Sequence, residues 1–222
     1  LMAGAWGTLG LLTEVSLKVL PVAPAEATLR FECNQADALR KLHTWGGQPL
    51  PLNASCWVED AGVGQLYVRL RGAVAAVDAA CKSMGGTRLD NATAAPDWQA
   101  CREQTLPWFA ARLARPGQAL WRLSLPATAP VLALPGGVSP LVEWHGALRW
   151  VQAPLAHGDV LREAARAVGG SASLFIADGA VGERAGGQLD LKSAALEQIH
   201  ARLKHSFDPA GIFNPGRMAP QW

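Results

Sequence analysis

Gly-Gly pairs set the scale on which this chain can fold. Those at Gly46-Gly47, Gly85-Gly86 and Gly169-Gly170 each close a stretch of helical spacing and open onto strand alternation. Glycine just past a helix accepts the left-handed backbone that ends it. The chain is thereby cut into short, alternating α and β pieces. Leu29, Phe31 and Cys33 alternate with Thr28, Arg30 and Glu32 as a half-buried strand. Asn34 is placed to cap a helix that runs to Trp45, with Asp37 in its first turn. Strands follow near 55–60 and 65–71, then a helix marked by Val74, Val77, Cys81 and Met84, then a short strand at 87–90. The order is βαββαβ.

A second pass follows a helical interlude around 96–115. A strand at 119–125 puts Trp121, Leu123 and Leu125 on one face. The apolar piece 127–134 reads as one or two helical turns, although Pro126, Pro130 and Pro135 leave little room for a regular helix. Segments 141–145 and 148–151 read as a hairpin closing near Gly146, and Asp159 as the cap of a helix that ends at Gly169. The last strand is 171–177. Two helices covering an antiparallel sheet in this order make a ferredoxin-like unit. The expected class is therefore α+β, antiparallel sheets with helices on one face, with two such units at about 28–90 and 119–177.

The flanks differ. Residues 1–22 read as a glycine-punctuated turn and then a strand carrying Leu12, Val15, Leu17 and Val19, stopped by Pro21 and Pro24. The Gly-rich stretch 178–192 reads as a loop. Ser193 caps a helix with Leu196, Ile199, Leu203 and Phe207 on one stripe, and that helix stops at Asp208-Pro209. Because the pattern is already under way at Leu1, the chain is expected to be the rear part of a longer protein.

Composition excludes several classes. With 222 residues, 50% of them apolar and 17% charged, the chain has enough material for a real core and is no disordered tail. A net charge of +2 with no basic cluster argues against nucleic acid. No apolar run is long enough to span a bilayer and no secretory signal is legible, so a cytoplasmic location is expected. Cys33, Cys56, Cys81 and Cys101 contain no C-x-x-C pair and read as reduced core thiols, with no metal site.

Two segments carry chemistry. The opening Gly4-Ala5-Trp6-Gly7-Thr8-Leu9-Gly10 spaces its glycines three apart and precedes a strand, so it is no Rossmann fingerprint. Backbone without a Cβ can nevertheless approach a ligand closely and aim N–H groups at phosphate or ring oxygens. The tail Phe207-Asp208-Pro209-Ala210-Gly211-Ile212-Phe213-Asn214-Pro215-Gly216-Arg217 fixes an amide and a cation between two rigid turns.

The tail D-P-x-G-I-F-N-P-G-R resembles the closing motif of FAD-linked oxidases of the vanillyl-alcohol oxidase type. The opening G-x-x-G-T-L-G-L-L-T-E-V resembles their last flavin-contacting loop and strand. Val142-Glu143-Trp144-His145-Gly146-Ala147-Leu148-Arg149-Trp150, with Trp121-Arg122-Leu123-Ser124-Leu125-Pro126, is similar to the FAD-binding E subunits of bacterial glycolate oxidases. The resemblance implies three parts: the end of an FAD domain at 1–22, a cap or substrate domain at 23–192, and a returning segment at 193–222. It implies FAD as cofactor, lined by Gly4, Gly7, Thr8, Leu9 and Gly10 and reached by Asn214 from the far end of the chain.

The same resemblance implies oxidation of glycolate to glyoxylate, beside a catalytic flavoprotein subunit and an iron–sulfur subunit. Alternatives are an oxidoreductase for another 2-hydroxy acid or alcohol, and a non-catalytic ferredoxin-like interaction module. This chain taken alone is expected to be inactive and to lack bound flavin. The H-x-G-D-G-N motif of related D-lactate dehydrogenases is missing, for none of the five histidines stands in it. His157-Gly158-Asp159 is only superficially similar. Glu143 and Arg149 could pair across the hairpin, or Arg149 could hold a substrate carboxylate in its fork.

Overall fold

The structure is a computed structural model that describes residues 2–111, 115–177, 190 and 193–219. Its first half runs β1 (Ala25–Glu32), α1 (Gln35–Gly46), β2 (Leu52–Asp60), β3 (Val63–Gly72), α2 (Val74–Met84) and β4 (Thr87–Leu89). Two helices, α3 (Asn91–Glu103) and α4 (Pro107–Ala110), lead to the second half. That half is β5 (Gln118–Ser124), β6 (Leu141–Glu143), β7 (Leu148–Pro154), α5 (Gly158–Ala167) and β8 (Ser171–Ile176), followed by α6 (Ala194–Phe207). All strands join one antiparallel sheet of eight in the order β4-β1-β3-β2-β6-β7-β5-β8.

Local signals work as physics asks. Asn34 accepts from the N–H of Asp37 at 2.9 Å, and Ser193 accepts from that of Leu196 at 3.3 Å. Period-2 alternation then sorts side chains between the two faces of the sheet. On one face, Ala27, Leu29, Leu66, Val68 and Leu70 pack with Leu42 and Trp45 of α1 and Val77 of α2. The same face continues as Trp121, Leu123, Val151 and Leu174 against Leu161 and Ala165 of α5. Each such side chain fully buried contributes about 1.5–3 kcal/mol.

The reverse face is not bare. Cys56, Leu120, Leu141, Leu148 and Trp150 pack there against Trp98 and Cys101 of α3 and Phe109 of α4. Helices on one face alone therefore describes α1, α2 and α5, while the interlude covers the other side. Trp98 explains its own burial, because its indole N–H donates to the Thr28 hydroxyl at 2.9 Å.

Three further expectations change. Residues 10–23 hold no strand, and Leu11, Leu17, Val19, Leu20 and Val22 are each more than three-quarters exposed. Alternation alone makes no strand where no neighbour among the described residues supplies N–H and C=O partners. Residues 127–134 form no helix: a turn at 127–128, closed by the Ala129 N–H on the Pro126 carbonyl at 2.9 Å, leads into irregular backbone and a short 3-10 turn at Pro135–Gly137. Asp159 lies in the first turn of α5, one residue inside it, while His157 is the N-cap. Of the loop 178–192 only Asp190 is described; the rest lies outside the described residues. None of the described helices is long and apolar enough to cross a membrane.

Candidate functional site

The two end motifs meet. Along α6 only Lys204 is buried, and its ammonium donates to the carbonyls of Thr8 and Phe213, both at 2.8 Å, and to the Asp208 carboxylate. These three acceptors match the three donors of an ammonium group. Asp208 ends the helix, and its carboxylate takes the N–H groups of Ile212 at 3.0 Å and Phe213 at 2.8 Å. Burial pushes its carboxyl pKa up, but the bonds from Lys204, Phe213 and Ile212 outweigh burial and hold it at about 2. The turn after the helix is thus folded around one carboxylate.

Asn214 continues the junction. Its backbone is left-handed, with φ 42°, a conformation that asparagine tolerates better than most residues. Its Nδ2 donates to the Trp6 carbonyl at 2.9 Å. Arg217 stands over the Trp6 ring with its guanidinium 5.4 Å from the centroid. The Thr8 hydroxyl is buried and donates to the Ala5 carbonyl at 2.6 Å, so it shapes the loop from within.

Gly4, Gly7 and Gly10 all have positive φ, and a Cβ on Gly4 would meet nothing within 4 Å. Leu9 has its side chain in the core. Among the described residues the N–H groups of Trp6, Gly7, Leu9 and Gly10 bond to no protein group. Unbonded N–H donors are what an anionic or carbonyl-rich cofactor needs. All six candidate cofactor residues thus gather at one junction, with Thr8 and Asn214 bracing the loop that presents those donors. A Cβ on Gly7, at φ +70°, would lie 2.7 Å from Asn214 Nδ2. Gly7→Ala should therefore displace the Asn214 amide and lower stability by about 1–3 kcal/mol, read by thermal melting.

An aromatic chain fixes the junction to the sheet. Trp6 meets Phe175 edge-on at 6.5 Å, Phe175 meets Trp150 at 4.9 Å, and Trp150 meets Phe109 at 5.7 Å. The loop therefore docks on the reverse face, beside β7 and β8.

That placement decides among the other candidates. In the β6–β7 register Glu143 faces Leu148, and Arg149 faces Val142. Glu143 and Arg149 consequently project to opposite faces and form no pair. Arg149 is 1% exposed, and its guanidinium donates to the carbonyls of Ala129 and Pro130, each at 2.6 Å. Burial draws its pKa down to about 10, which leaves it a cation at neutral pH. Its role is to tie the 127–134 segment to the sheet, away from the glycine loop. Glu143 accepts from Trp150 Nε1 at 2.6 Å and from the Cys101 thiol at 2.9 Å. Asp159 is fully open to solvent beside Arg162, so His157-Gly158-Asp159 forms no site.

An arginine on the docking face, in the strand between β7 and β8, is Arg122. It lies across from Trp150 and Ser173 in the sheet, half-buried, with its guanidinium 6.0 Å from the Trp144 ring centroid. Neither Arg122 nor Lys204 stands out in the sequence. A lysine in the last turn of a helix ordinarily reads as a complement to the helix dipole. All four cysteines are free thiols, and no metal-binding group of three or more ligands exists among the described residues.

No protein-family model matches the chain. A comparison with curated proteins finds it 41% identical over 218 residues to the glycolate oxidase subunit GlcE of Escherichia coli (strain K12). The match covers 98% of this chain and 56% of that protein, so the chain spans little more than half the length of its curated relative. The similarity to the glycolate oxidase subunit GlcE thus extends over nearly every residue of this chain.

Proposed function

We propose that this chain is the cap and flavin-closing part of an FAD-binding subunit of a glycolate oxidase complex, which oxidises glycolate to glyoxylate. The carrying observation is the junction itself, where a glycine loop with unbonded N–H groups is clamped by the tail motif in a relative of GlcE. FAD, when bound, supplies the acceptor for the substrate's hydride. The chain's own part is to present the backbone of Gly4–Gly10 to the cofactor and to keep that loop in place through Thr8, Lys204 and Asn214. Arg122, on the face where the loop docks, holds the substrate carboxylate in its planar fork. Electrons leave through an iron–sulfur subunit beside a second flavoprotein subunit, on the cytoplasmic side.

The cap is read as two ferredoxin-like units. What supports this is the βαββαβ order of residues 25–89 and their strand order β4-β1-β3-β2, repeated by β8-β5-β7-β6 with residues 127–134 in place of the first helix. Residues 10–23, outside any helix or strand and with exposed apolar side chains, form the last strand of the FAD domain once a neighbouring strand pairs with them.

The test uses the protein at the full length of its relative, with flavin content and melting temperature measured together. Asn214→Ala should lower flavin affinity about five- to hundred-fold while melting moves little. Arg122→Gln should keep the flavin and raise KM for glycolate. A full-length protein that binds no flavin, or an Asn214→Ala variant that melts early with its flavin retained, overturns the proposal.

A further inference from the structure

A half-open pocket on the reverse face shares no lining residue with the loop–tail junction. A cavity of about 440 Å³ lies between α3, the bulge of β2 and the β6–β7 turn. That volume lies within the range of small-molecule sites. Its walls include Arg69, Asn53, Trp98, Glu143, Trp144 and His145.

Arg69 is built as a fork. Its Nε donates to Asn53 Oδ1 at 2.7 Å, and Asn53 is the residue extruded by the β2 bulge. Its guanidinium lies 5.1 Å from the Trp98 ring centroid, and Trp98 is itself locked by its bond to Thr28. Arg69 makes no ion pair among the described residues, so its two terminal nitrogens stay free while its plane is held. A guanidinium fixed in this way matches a carboxylate bidentately, and little freedom remains to be lost on binding.

Another part of the lining is strained. Trp144 and His145 follow one another in the left-handed region, with φ 50° and 54°, although neither is glycine. The His145 N–H donates to Ser55 Oγ at 2.9 Å, which holds the turn in that shape. Trp144 is left 66% exposed, while the His145 Nδ1 atom is buried with no partner. Backbone strain of this kind persists where the surroundings enforce it, and it clusters at ligand sites. Trp144 and Trp98 both line the cavity. Glu143 bars a second negative charge, but both its oxygens are already engaged, by Cys101 and by Trp150.

We infer that this cavity binds a monocarboxylate with a flat apolar body, its carboxylate on Arg69 and its body against Trp144 and Trp98. The site shares no lining residue with the loop–tail junction, and Trp144 is the ring that also stands by Arg122.

Calorimetric titration of the full chain tests it, with benzoate, the neutral benzamide and phenyl phosphate as probes. Benzoate should bind saturably, at least about tenfold tighter than either of the others. Arg69→Gln should weaken benzoate about tenfold or more and erase its advantage over benzamide. Trp144→Ala should weaken both. Arg69→Lys should lose most of the affinity too, because a point charge offers no fork. Should Arg69→Gln fail to fold, Asn53→Ala, an exposed change that frees the same Nε, should still weaken benzoate severalfold. Arg217→Gln, at the other junction, should leave benzoate binding unchanged. The inference falls on any one of three results: no saturable benzoate binding, equal binding of benzamide or tighter binding of phenyl phosphate, or a folded Arg69→Gln with unchanged affinity.

Discussion

Lys204→Met releases the tail from the glycine loop. The lysine is the buried contact of α6 and the common donor to Thr8, Phe213 and Asp208. Taking it away leaves the Asp208 carboxylate, whose side chain is 2% exposed, without its cation. Removing one member of a buried ion pair costs far more than removing both. The N–H groups of Ile212 and Phe213 should then lose hydrogen-exchange protection by about a hundredfold or more. The double variant Lys204→Met/Asp208→Leu should regain part of that protection. Complete recovery is not expected, because the carboxylate also anchors two backbone N–H groups.

Acid should reproduce the release. With Asp208 held at about 2 in the folded chain, against an ordinary 3.8, its contribution is fully present above pH 3.8. It fades as pH falls through that interval, since the unfolded state takes up the proton first. In Lys204→Met the carboxyl loses a partner that lowers its pKa, so the interval narrows and acid should remove less protection than in the parent chain. Exchange protection that is unchanged in Lys204→Met would show that the tail is held by other contacts.

Much of this fold is written in local patterns. Asn34 and Ser193 cap the helices they were expected to cap, and Trp121, Leu123 and Leu125 share one buried core. These are signals that act over three or four residues. Non-local pairing behaves differently. Residues 12–19 alternate like a strand yet pair with nothing described, because alternation names a face and not a neighbour. The same principle separates Glu143 from Arg149. Spacing alone sets them opposite one another, but the register places Leu148 against Glu143, and a one-residue shift sends Arg149 to the other face. Gly4–Gly10 and Asn214 were legible as motifs. The ammonium that joins them was not, for Lys204 meets Thr8 only across 196 positions.

Arg149→Ala tests that assignment of faces. As a packed side chain 1% exposed, Arg149 fills space that alanine would leave empty. The Ala129 carbonyl would also lose its buried donor, while that of Pro130, at the exposed end of the same segment, can turn to water. The two effects together should lower stability by about 4 kcal/mol and the melting temperature by about 10 °C. Arg149→Lys should recover only part of this, because one ammonium cannot span both carbonyls as a fork does. Kinetics of the full-length protein then separate the two roles. If Arg149 serves structure alone, Arg149→Lys keeps its KM for glycolate while it melts early, and Arg122→Gln shows the reverse. A raised KM with unchanged melting in Arg149→Lys would return the carboxylate to Arg149 and require the β6–β7 hairpin to be shifted by one residue.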